Sequence, residues 1–257
     1  MAFSPEYRTY PRASAATTAA VLDAGLRAYM LRVYNWMASG LLVTGIVAWV
    51  IASTPLINAF YPEVTDQFGR VGHSATPLAL LAMFAPLGFV LVLSLGVNKL
   101  STSAAQALFW AFCATMGASL TNIFLIYTHE SIVRVFFITA ATFGATSIYG
   151  YTTKSDLSQM GGFLMMGLFG IIIASLVNLF MQSSALQFAI SIIGVVVFTG
   201  LTAFDTQRIK ADYIQFAYAE GGELAAKRSV YDALSLYLNF INLFMLMLQI
   251  VGNRNSN

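Results

Sequence analysis

The chain of 257 residues is 58% hydrophobic and only 9% charged, whereas an ordinary soluble domain carries about a quarter charged residues to wet its surface. So few charges cannot cover a water-exposed surface of this size, which excludes a soluble catalytic domain. The formal net charge of +2 is small, and the lysines and arginines are spread over loops, which argues against nucleic acid as a partner. The single cysteine, Cys113, excludes an intramolecular disulfide and a cysteine-based metal cluster.

The two ends of the chain are polar. Residues 1–20 mix Ser, Thr, Ala, Pro and Arg without an apolar core, which predicts a disordered tail and not a cleaved signal peptide. Residues 21–32 contain Asp23, Arg27 and Arg32 and predict a helix that lies at the membrane surface. Residues 253–257 predict a short carboxyl-terminal tail, so that one membrane domain extends over residues 21–252.

Seven charge-free apolar runs occupy most of the chain between these tails. Each is close to the roughly 20 residues with which a helix rising about 1.5 Å per residue crosses a hydrocarbon core about 30 Å thick. The runs are continuously apolar, whereas the strands of a transmembrane barrel alternate apolar and polar residues. The sequence therefore predicts an all-α integral membrane protein with the lipid bilayer as its partner, whose seven transmembrane helices cover residues 34–51, 78–97, 105–127, 135–151, 163–181, 186–204 and 233–251.

The basic residues predict the orientation of these helices, because Lys and Arg near membrane ends tend to stay on the cytoplasmic side. Of the thirteen, ten fall on the amino-terminal side, and the remaining three are Arg70, Arg134 and Arg254. We therefore expect the amino terminus in the cytoplasm and the carboxyl terminus outside.

Residues for hydrolytic chemistry are scarce within the predicted helices. Such chemistry needs a nucleophile with a base, a pair of aspartates, or a metal held by histidines. The two histidines, His73 and His129, fall in predicted outer loops, and no predicted helix offers two aspartates. The sequence therefore predicts a protein that is not an enzyme and that binds no cofactor tightly.

Asp205 closes the sixth apolar run and is the most informative residue of the sequence. An ionised carboxylate at the carboxyl end of a helix opposes the macrodipole, and at membrane depth it loses hydration, so both effects disfavour its charged form. This position is therefore a candidate protonation site. The alternative is an interfacial aspartate that pairs with Arg208, three residues on, and only fixes the helix end.

The seventh apolar run carries Asn239 and Asn242, and the fifth carries Asn178. Amides at membrane depth need partners, so we expect them to face neighbouring helices or a water-filled path. Asn239 lies about 9 Å into the membrane at the helical rise, where it can meet Asp205 of the sixth helix. For Asn242 and Asn178 hydrogen bonding between helices is the leading interpretation, and a role in transport is the alternative.

Three segments are similar to those of one known family: residues 143–157 (FGATSIYGYTTKSDL), residues 203–208 (AFDTQR) and residues 234–244 (LSLYLNFINLF). Together with the number of predicted helices, they resemble the bacterial branch of the transmembrane Bax-inhibitor-motif family, and the resemblance covers residues 21–252. It implies a protein of the bacterial inner membrane with seven helices, in which the last helix is central and the other six wrap it in two layers.

The resemblance also implies a pH-sensitive calcium leak that two aspartates near the cytoplasmic mouth control. Asp205 matches the first aspartate, and the second falls on Asn239. A cationic residue that can engage these carboxylates in the family matches Lys99. Two close carboxylates titrate as a coupled pair, whereas one carboxylate beside an amide titrates singly. We therefore expect Asp205 to be a weak calcium ligand and the pH response to differ from that of a relative with two aspartates.

The leading functional prediction is thus a calcium or cation leak channel gated by protonation at Asp205, with Lys99, Arg208 and Asn239 as its closing partners. The alternative is a non-conducting regulator that binds other membrane proteins, such as a membrane protease. Its support is a set of small residues near the start of the fifth helix, which permit close helix contacts: Gly161, Gly162, Gly167 and Gly170.

Overall fold

A computed structural model gives the fold for residues 15–65, 71–96, 99–216 and 222–255. This part of the chain is mostly helical, with one short antiparallel hairpin in which Glu63 pairs with His73. In chain order the elements are α1 (Ala15–Ser53), α2 (Ile57–Phe60), β1 (Glu63–Thr65), β2 (Val71–His73), α3 (Pro77–Gly96), α4 (Thr102–Ser119), a 3-10 turn (Leu120–Asn122), α5 (Ile123–Ile126), α6 (His129–Thr152), α7 (Ser158–Met181), α8 (Ser184–Phe216) and α9 (Gly222–Val251).

Seven helical segments of the described chain are long and apolar enough to cross a membrane. They are α1, α3, the pair α4 and α5 joined by the 3-10 turn, and each of α6, α7, α8 and α9. This confirms the predicted all-α integral membrane protein with seven transmembrane helices. We call the side of the bundle at which α1 begins and α8 ends the amino-terminal face.

Helix α1 runs without interruption from Ala15 into the first span, so the prediction of a separate surface helix over residues 21–32 is wrong. Leu26, Tyr29 and Met30 of this stretch are buried. They recur at the three- and four-residue spacing that gives a helix an apolar stripe, and the stripe packs into the bundle. Residues 15–20 of the predicted tail are helical, and residues 1–14 lie outside the described part of the chain.

Helix α9 packs against α1, α4, α6 and α8, and it has the largest buried share of the seven spans. Its Tyr237 is fully buried: the ring makes edge contacts with Phe109 and Phe112 of α4, and the hydroxyl lies 2.6 Å from Thr44 Oγ1 of α1. Helix α3 packs on α4, and α7 packs on α8. Contact with four helices agrees with a central α9, and its wrapping by all six stays a prediction.

The residues that follow α9 are tied back to the start of α6. The backbone N–H of Thr128 donates to Asn253 O at 3.1 Å, and the backbone N–H of Asn255 donates to Ile126 O at 2.9 Å. As far as it is described, the predicted carboxyl-terminal tail is therefore fixed against the turn between α5 and α6.

The four glycines near the start of α7 form two pairs with different surroundings. A methyl group at Gly161 or Gly167 would meet a side chain of α8 at 2.5 or 2.9 Å, so this pair packs within the bundle. Gly162 and Gly170 face open space. All four glycines were predicted to permit contact with another protein. Only Gly162 and Gly170 leave free space for a helix of such a partner.

Candidate functional site

Asp205 lies inside helix α8 and not at its end. Because α8 extends to Phe216, the predicted end of the sixth helix is wrong, and the argument from the helix terminus does not apply. The helix continues because Ile209 is fully buried and Tyr213 stacks on Tyr29 of α1 with 4.9 Å between the ring centres. Asp205 itself is buried, with 7% of its surface exposed.

The carboxylate of Asp205 accepts hydrogen bonds from two residues of α9. The amide of Asn239 donates to Oδ2 at 2.7 Å, and the hydroxyl of Ser235 donates to the same oxygen at 3.3 Å. Ser235 and Asn239 are four residues apart and therefore lie one above the other on one side of α9. The structure thus brings together Asp205 and Asn239, the two residues that the sequence analysis expected to meet.

Arg208 completes this contact between α8 and α9. Its Nη2 lies 2.9 Å from Asp205 Oδ1 in an ion pair, and the same nitrogen donates to Ser235 Oγ at 3.2 Å. This pairing with Arg208 was the alternative interpretation of Asp205. The ion pair itself lies within α8, and the hydrogen bond from Arg208 to Ser235 connects it to α9. We call Asp205, Arg208, Ser235 and Asn239 the α8–α9 clasp.

Lys99 is not part of this clasp. It lies in the turn after α3, its side chain is exposed, and its backbone N–H donates to Gly96 O at 2.9 Å. Among the described residues, the ion pair on Asp205 is made by Arg208. A part for Lys99 in closing the path therefore stays a prediction.

A second carboxylate, Asp232, lies near the clasp and was missed by the sequence reasoning. The hydroxyl of Tyr29 on α1 donates to Asp232 Oδ2 at 2.5 Å, across 203 positions of sequence. Asp232 precedes Asn239 by seven residues, so it lies on the same side of α9 about two turns closer to the amino-terminal face. The sequence feature that could have pointed to Asp232 is its position directly before the apolar run that begins at residue 233.

Asp232 also shares its electrostatic surroundings with the clasp. Arg208 and Arg228 are the basic side chains whose charges act on it, and Asp212 is the acidic one. The charge of Arg208 therefore acts on two carboxylates, one on α8 and one on α9. The site as a whole joins α1, α8 and α9 through polar groups that are buried or half-buried, except for the exposed guanidinium of Arg208.

Asp156 lies on the same face, in the loop between α6 and α7, and it is exposed. Hydrogen bonds from the side chain and the backbone N–H of Ser158 hold the pKa of Asp156 below its ordinary value. Its charge therefore stays constant over the neutral range, which makes it a suitable comparison for the buried carboxylate.

The two other predicted asparagines have different environments. Asn242 is exposed, and its amide donates to the backbone oxygen of Leu238 in its own helix at 2.8 Å. The expectation that it bonds another helix is therefore wrong for the described residues, because its amide donates within α9. Asn178 of α7 is buried and donates to Gln187 Oε1 of α8 at 3.0 Å, which confirms hydrogen bonding between helices at this position.

Asn178 belongs to a larger group near the other end of the bundle. Gln187 donates to Gln249 Oε1 of α9 at 2.7 Å, and the hydroxyl of Ser191 donates to the same oxygen at 2.8 Å. We call these four residues the amide cluster. It joins α7, α8 and α9 as the α8–α9 clasp joins α8 and α9 at the amino-terminal face.

The described residues contain no group of three or more His, Cys, Asp or Glu side chains placed to hold a metal ion. The oxygens of Asp205 are already engaged by a guanidinium, an amide and a hydroxyl. Calcium takes six to eight oxygen ligands, so it would have to displace Arg208 to reach this carboxylate. The arrangement is suited to a charge-dependent contact between helices.

A seven-helix bundle with a buried, ion-paired carboxylate between two of its spans defines an integral membrane protein whose helices are joined by a charged polar contact. The chain belongs to the Bax inhibitor family: the sequence model described as inhibitor of apoptosis-promoting Bax1 matches residues 26–256. The match includes every residue of the clasp and of the amide cluster.

Individual relatives are similar over nearly their whole length. The chain is 46% identical to uncharacterized protein RP147 of Rickettsia prowazekii over 235 residues, which are 91% of this chain and 93% of the relative. It is 44% identical to an uncharacterized protein of Caulobacter vibrioides, with 91% and 92% covered. It is also 44% identical to inner membrane protein YbhL of Escherichia coli K12, with 90% and 94% covered. Together with the seven spans, this last relative supports a location in the inner membrane.

Proposed function

We propose that the protein is a pH-sensitive leak pathway for calcium or a similar cation across the inner membrane, gated by protonation at Asp205. The observation that carries this proposal is the α8–α9 clasp, in which one buried carboxylate binds a guanidinium, an amide and a hydroxyl. The cytoplasm is the side on which the clasp lies, by the distribution of basic residues.

Protonation of Asp205 weakens the clasp for a simple electrostatic reason. A hydrogen bond to a charged group is roughly twice as strong as one between neutral groups, and the neutral acid also loses its ion pair with Arg208. The contact between α8 and α9 at the amino-terminal face then loosens. A change in this contact changes the width of any path along α9.

Asn239 sets the form of the pH response. With an amide in place of a second carboxylate, Asp205 has no like-charged partner at this position, and the coupled pair that two close carboxylates form is absent. One carboxylate with an amide oxygen also binds calcium weakly. Weak binding is compatible with permeation, because the ion can leave the site again.

The test is calcium flux into liposomes that contain only the purified protein, measured over a series of pH values. Asp205→Asn should abolish the pH dependence, because no proton can then change the charge of the clasp. Asn239→Asp should shift and broaden the profile, because it creates a coupled pair. Asp156→Asn, at an exposed aspartate of the same face, is the matched control and should leave the profile unchanged. A wild-type pH profile in Asp205→Asn would refute the proposed gate.

A second candidate function is a non-conducting regulator that binds other membrane proteins, for example a membrane protease. The observation that favours it is the open surface of α7, where Gly162 and Gly170 face free space on either side of the exposed Met166. Small residues on a lipid-facing surface allow close helix contact. The same liposome assay separates the two functions, because a regulator alone would pass no calcium at any pH.

A further inference from the structure

One side of α9 carries a polar residue at every seventh position: Ser235, Asn242 and Gln249. Seven residues are close to two turns of a helix with 3.6 residues per turn, so these side chains lie almost directly above one another. From the first to the last they extend over about 21 Å of a hydrocarbon core about 30 Å thick. We call these three residues the polar line.

The two ends of the polar line are anchored in the two polar groups of the bundle. Ser235 belongs to the α8–α9 clasp, where it bonds Asp205 and Arg208. Gln249 belongs to the amide cluster, where it accepts hydrogen bonds from Gln187 and Ser191. The line therefore connects a polar group at the amino-terminal face with another near the opposite face.

Asn242 lies between these ends, at the middle of the apolar run 233–251 and about 14 Å from the start of that run. Its amide donates to Leu238 O of the same helix, and its carbonyl oxygen accepts no hydrogen bond from the described residues. Its neighbours on α9 define its position: Asn239 bonds Asp205, and Leu246 contacts Gly194. Asn242 thus lies at the open edge of the interface between α8 and α9.

An unsatisfied amide oxygen at the middle of a bilayer is unfavourable in hydrocarbon, so it needs water, an ion or another protein. We propose that the polar line is one wall of a water-filled path, and that the carbonyl oxygen of Asn242 contacts the hydrated cation at mid-depth. This inference rests on the proposed leak function and names the residues along which the ion passes. Continuity with polar groups at both ends favours a path over a docking surface, which would need polarity only where the partner bonds.

Cysteine accessibility tests the path directly. In a Cys113→Ala background, which removes the buried native thiol, Asn242→Cys is compared with Val196→Cys on α8. Val196 is 66% exposed and lies within one residue of the middle of the run 186–204, so it matches Asn242 in depth. Because a thiol reacts as the thiolate and needs water to ionise, we expect a water-soluble maleimide to label Asn242→Cys about tenfold faster than Val196→Cys. Equal rates would place Asn242 in lipid and overturn the path.

Two further measurements keep this inference separate from the proposed function. Spontaneous disulfide formation between two copies of Asn242→Cys would overturn the path in favour of a packing surface. Asn242→Leu should reduce calcium flux while the pH at half-maximal flux stays that of the wild type, and unreduced flux would also overturn the proposed path.

The combined results distinguish the path from the leak function. Labelling of Asn242→Cys in a protein that passes no calcium would uphold a water-filled cleft and refute the leak function. Flux without labelling would refute the path alone.

Discussion

Two carboxylates connect α9 to its neighbours at the amino-terminal face: one links α9 to α8, and the other links α9 to α1. Asp205 on α8 accepts hydrogen bonds from Ser235 and Asn239, whereas Asp232 on α9 accepts one from Tyr29 on α1. Hydrogen bonds to a charged acceptor are the stronger kind, so loss of charge at either carboxylate weakens one contact and leaves the other. The residues of the site therefore form two separable links to the same helix.

The link between α1 and α9 predicts a stability effect at Tyr29. In Tyr29→Phe the half-buried carboxylate of Asp232 loses its phenol donor, and a hydrogen bond to a charged group contributes about 1.5–3 kcal/mol. Thermal unfolding of the purified protein in detergent should therefore show a destabilised variant. Tyr34→Phe, one turn further along α1 at a half-buried tyrosine with no hydrogen bond to the described residues, should unfold like the wild type.

A double-mutant comparison tests whether the effect belongs to this pair. Asp232→Asn removes the charged acceptor, so Tyr29→Phe should cost less in that background than in the wild type, because residues in direct contact are not additive. Additive losses would mean that the hydroxyl of Tyr29 stabilises the protein by a route other than its hydrogen bond to Asp232.

Local chemistry of the site could be predicted from the sequence, and long-range pairing could not. Asp205 and Arg208 are three residues apart on one helix, so their ion pair follows from helical spacing alone. The contact of Asn239 with Asp205 was predicted from the depth of Asn239 in the membrane, and the family resemblance pointed to the same two positions. Tyr29 and Asp232 are 203 positions apart, and nothing in one sequence without a structure indicates which residue of α1 faces which residue of α9.

At the scale of the helices, α6 and α8 approach each other at Gly150. A methyl group at this position would overlap the backbone carbonyl of Ala203 and lie 2.9 Å from its Cα. Backbone atoms of a packed helix cannot move aside as a flexible side chain can. The contact includes a hydrogen-bonding pair, Ser147 Oγ and Thr206 Oγ1 at 3.3 Å, and Thr206 is the residue next to Asp205.

Gly150→Ala should therefore force α6 and α8 apart and destabilise the protein by about 1–3 kcal/mol, the range for overpacking in a well-packed interior. Gly144→Ala, on the same helix with nothing within 4 Å of the added methyl group, is the matched control and should have little effect. Thermal unfolding in detergent measures both. If the two substitutions change the stability equally, the close approach at Gly150 has no effect of its own, and the idea is wrong.

Helix lengths show a physical limit of the sequence prediction. The charge-free runs located the lipid-crossing part of each helix, but α1 and α8 extend beyond it to 39 and 33 residues. Charged residues end a hydrophobic run without ending a helix, because Arg and Lys have good helix propensity. Their heads stay in water while residues such as Leu26 and Ile209, buried on the same helices, pack against the bundle.

At the scale of the whole molecule, the orientation of the chain decides which compartment the proposed gate would sense. The α8–α9 clasp, Asp232 and the exposed Asp156 all lie at the amino-terminal face. Ten of thirteen basic residues lie on that side of the predicted spans, so the positive-inside rule places it in the cytoplasm. With this predicted orientation the proposed gate would respond to cytoplasmic protons, and the amide cluster would lie toward the periplasmic side.

This orientation predicts opposite labelling of two exposed serines in the Cys113→Ala background. Ser74 lies between β2 and α3, and Ser155 lies between α6 and α7, on the other side of the membrane. In intact bacterial cells without an outer-membrane barrier, a membrane-impermeant maleimide should label Ser74→Cys at once and Ser155→Cys only after permeabilisation. The reverse pattern would place Asp205 at the outer surface, and the same clasp would then open and close with the acidity of the medium. Labelling of each variant is compared before and after permeabilisation of the same cells. A difference in expression between the two variants therefore does not affect the result.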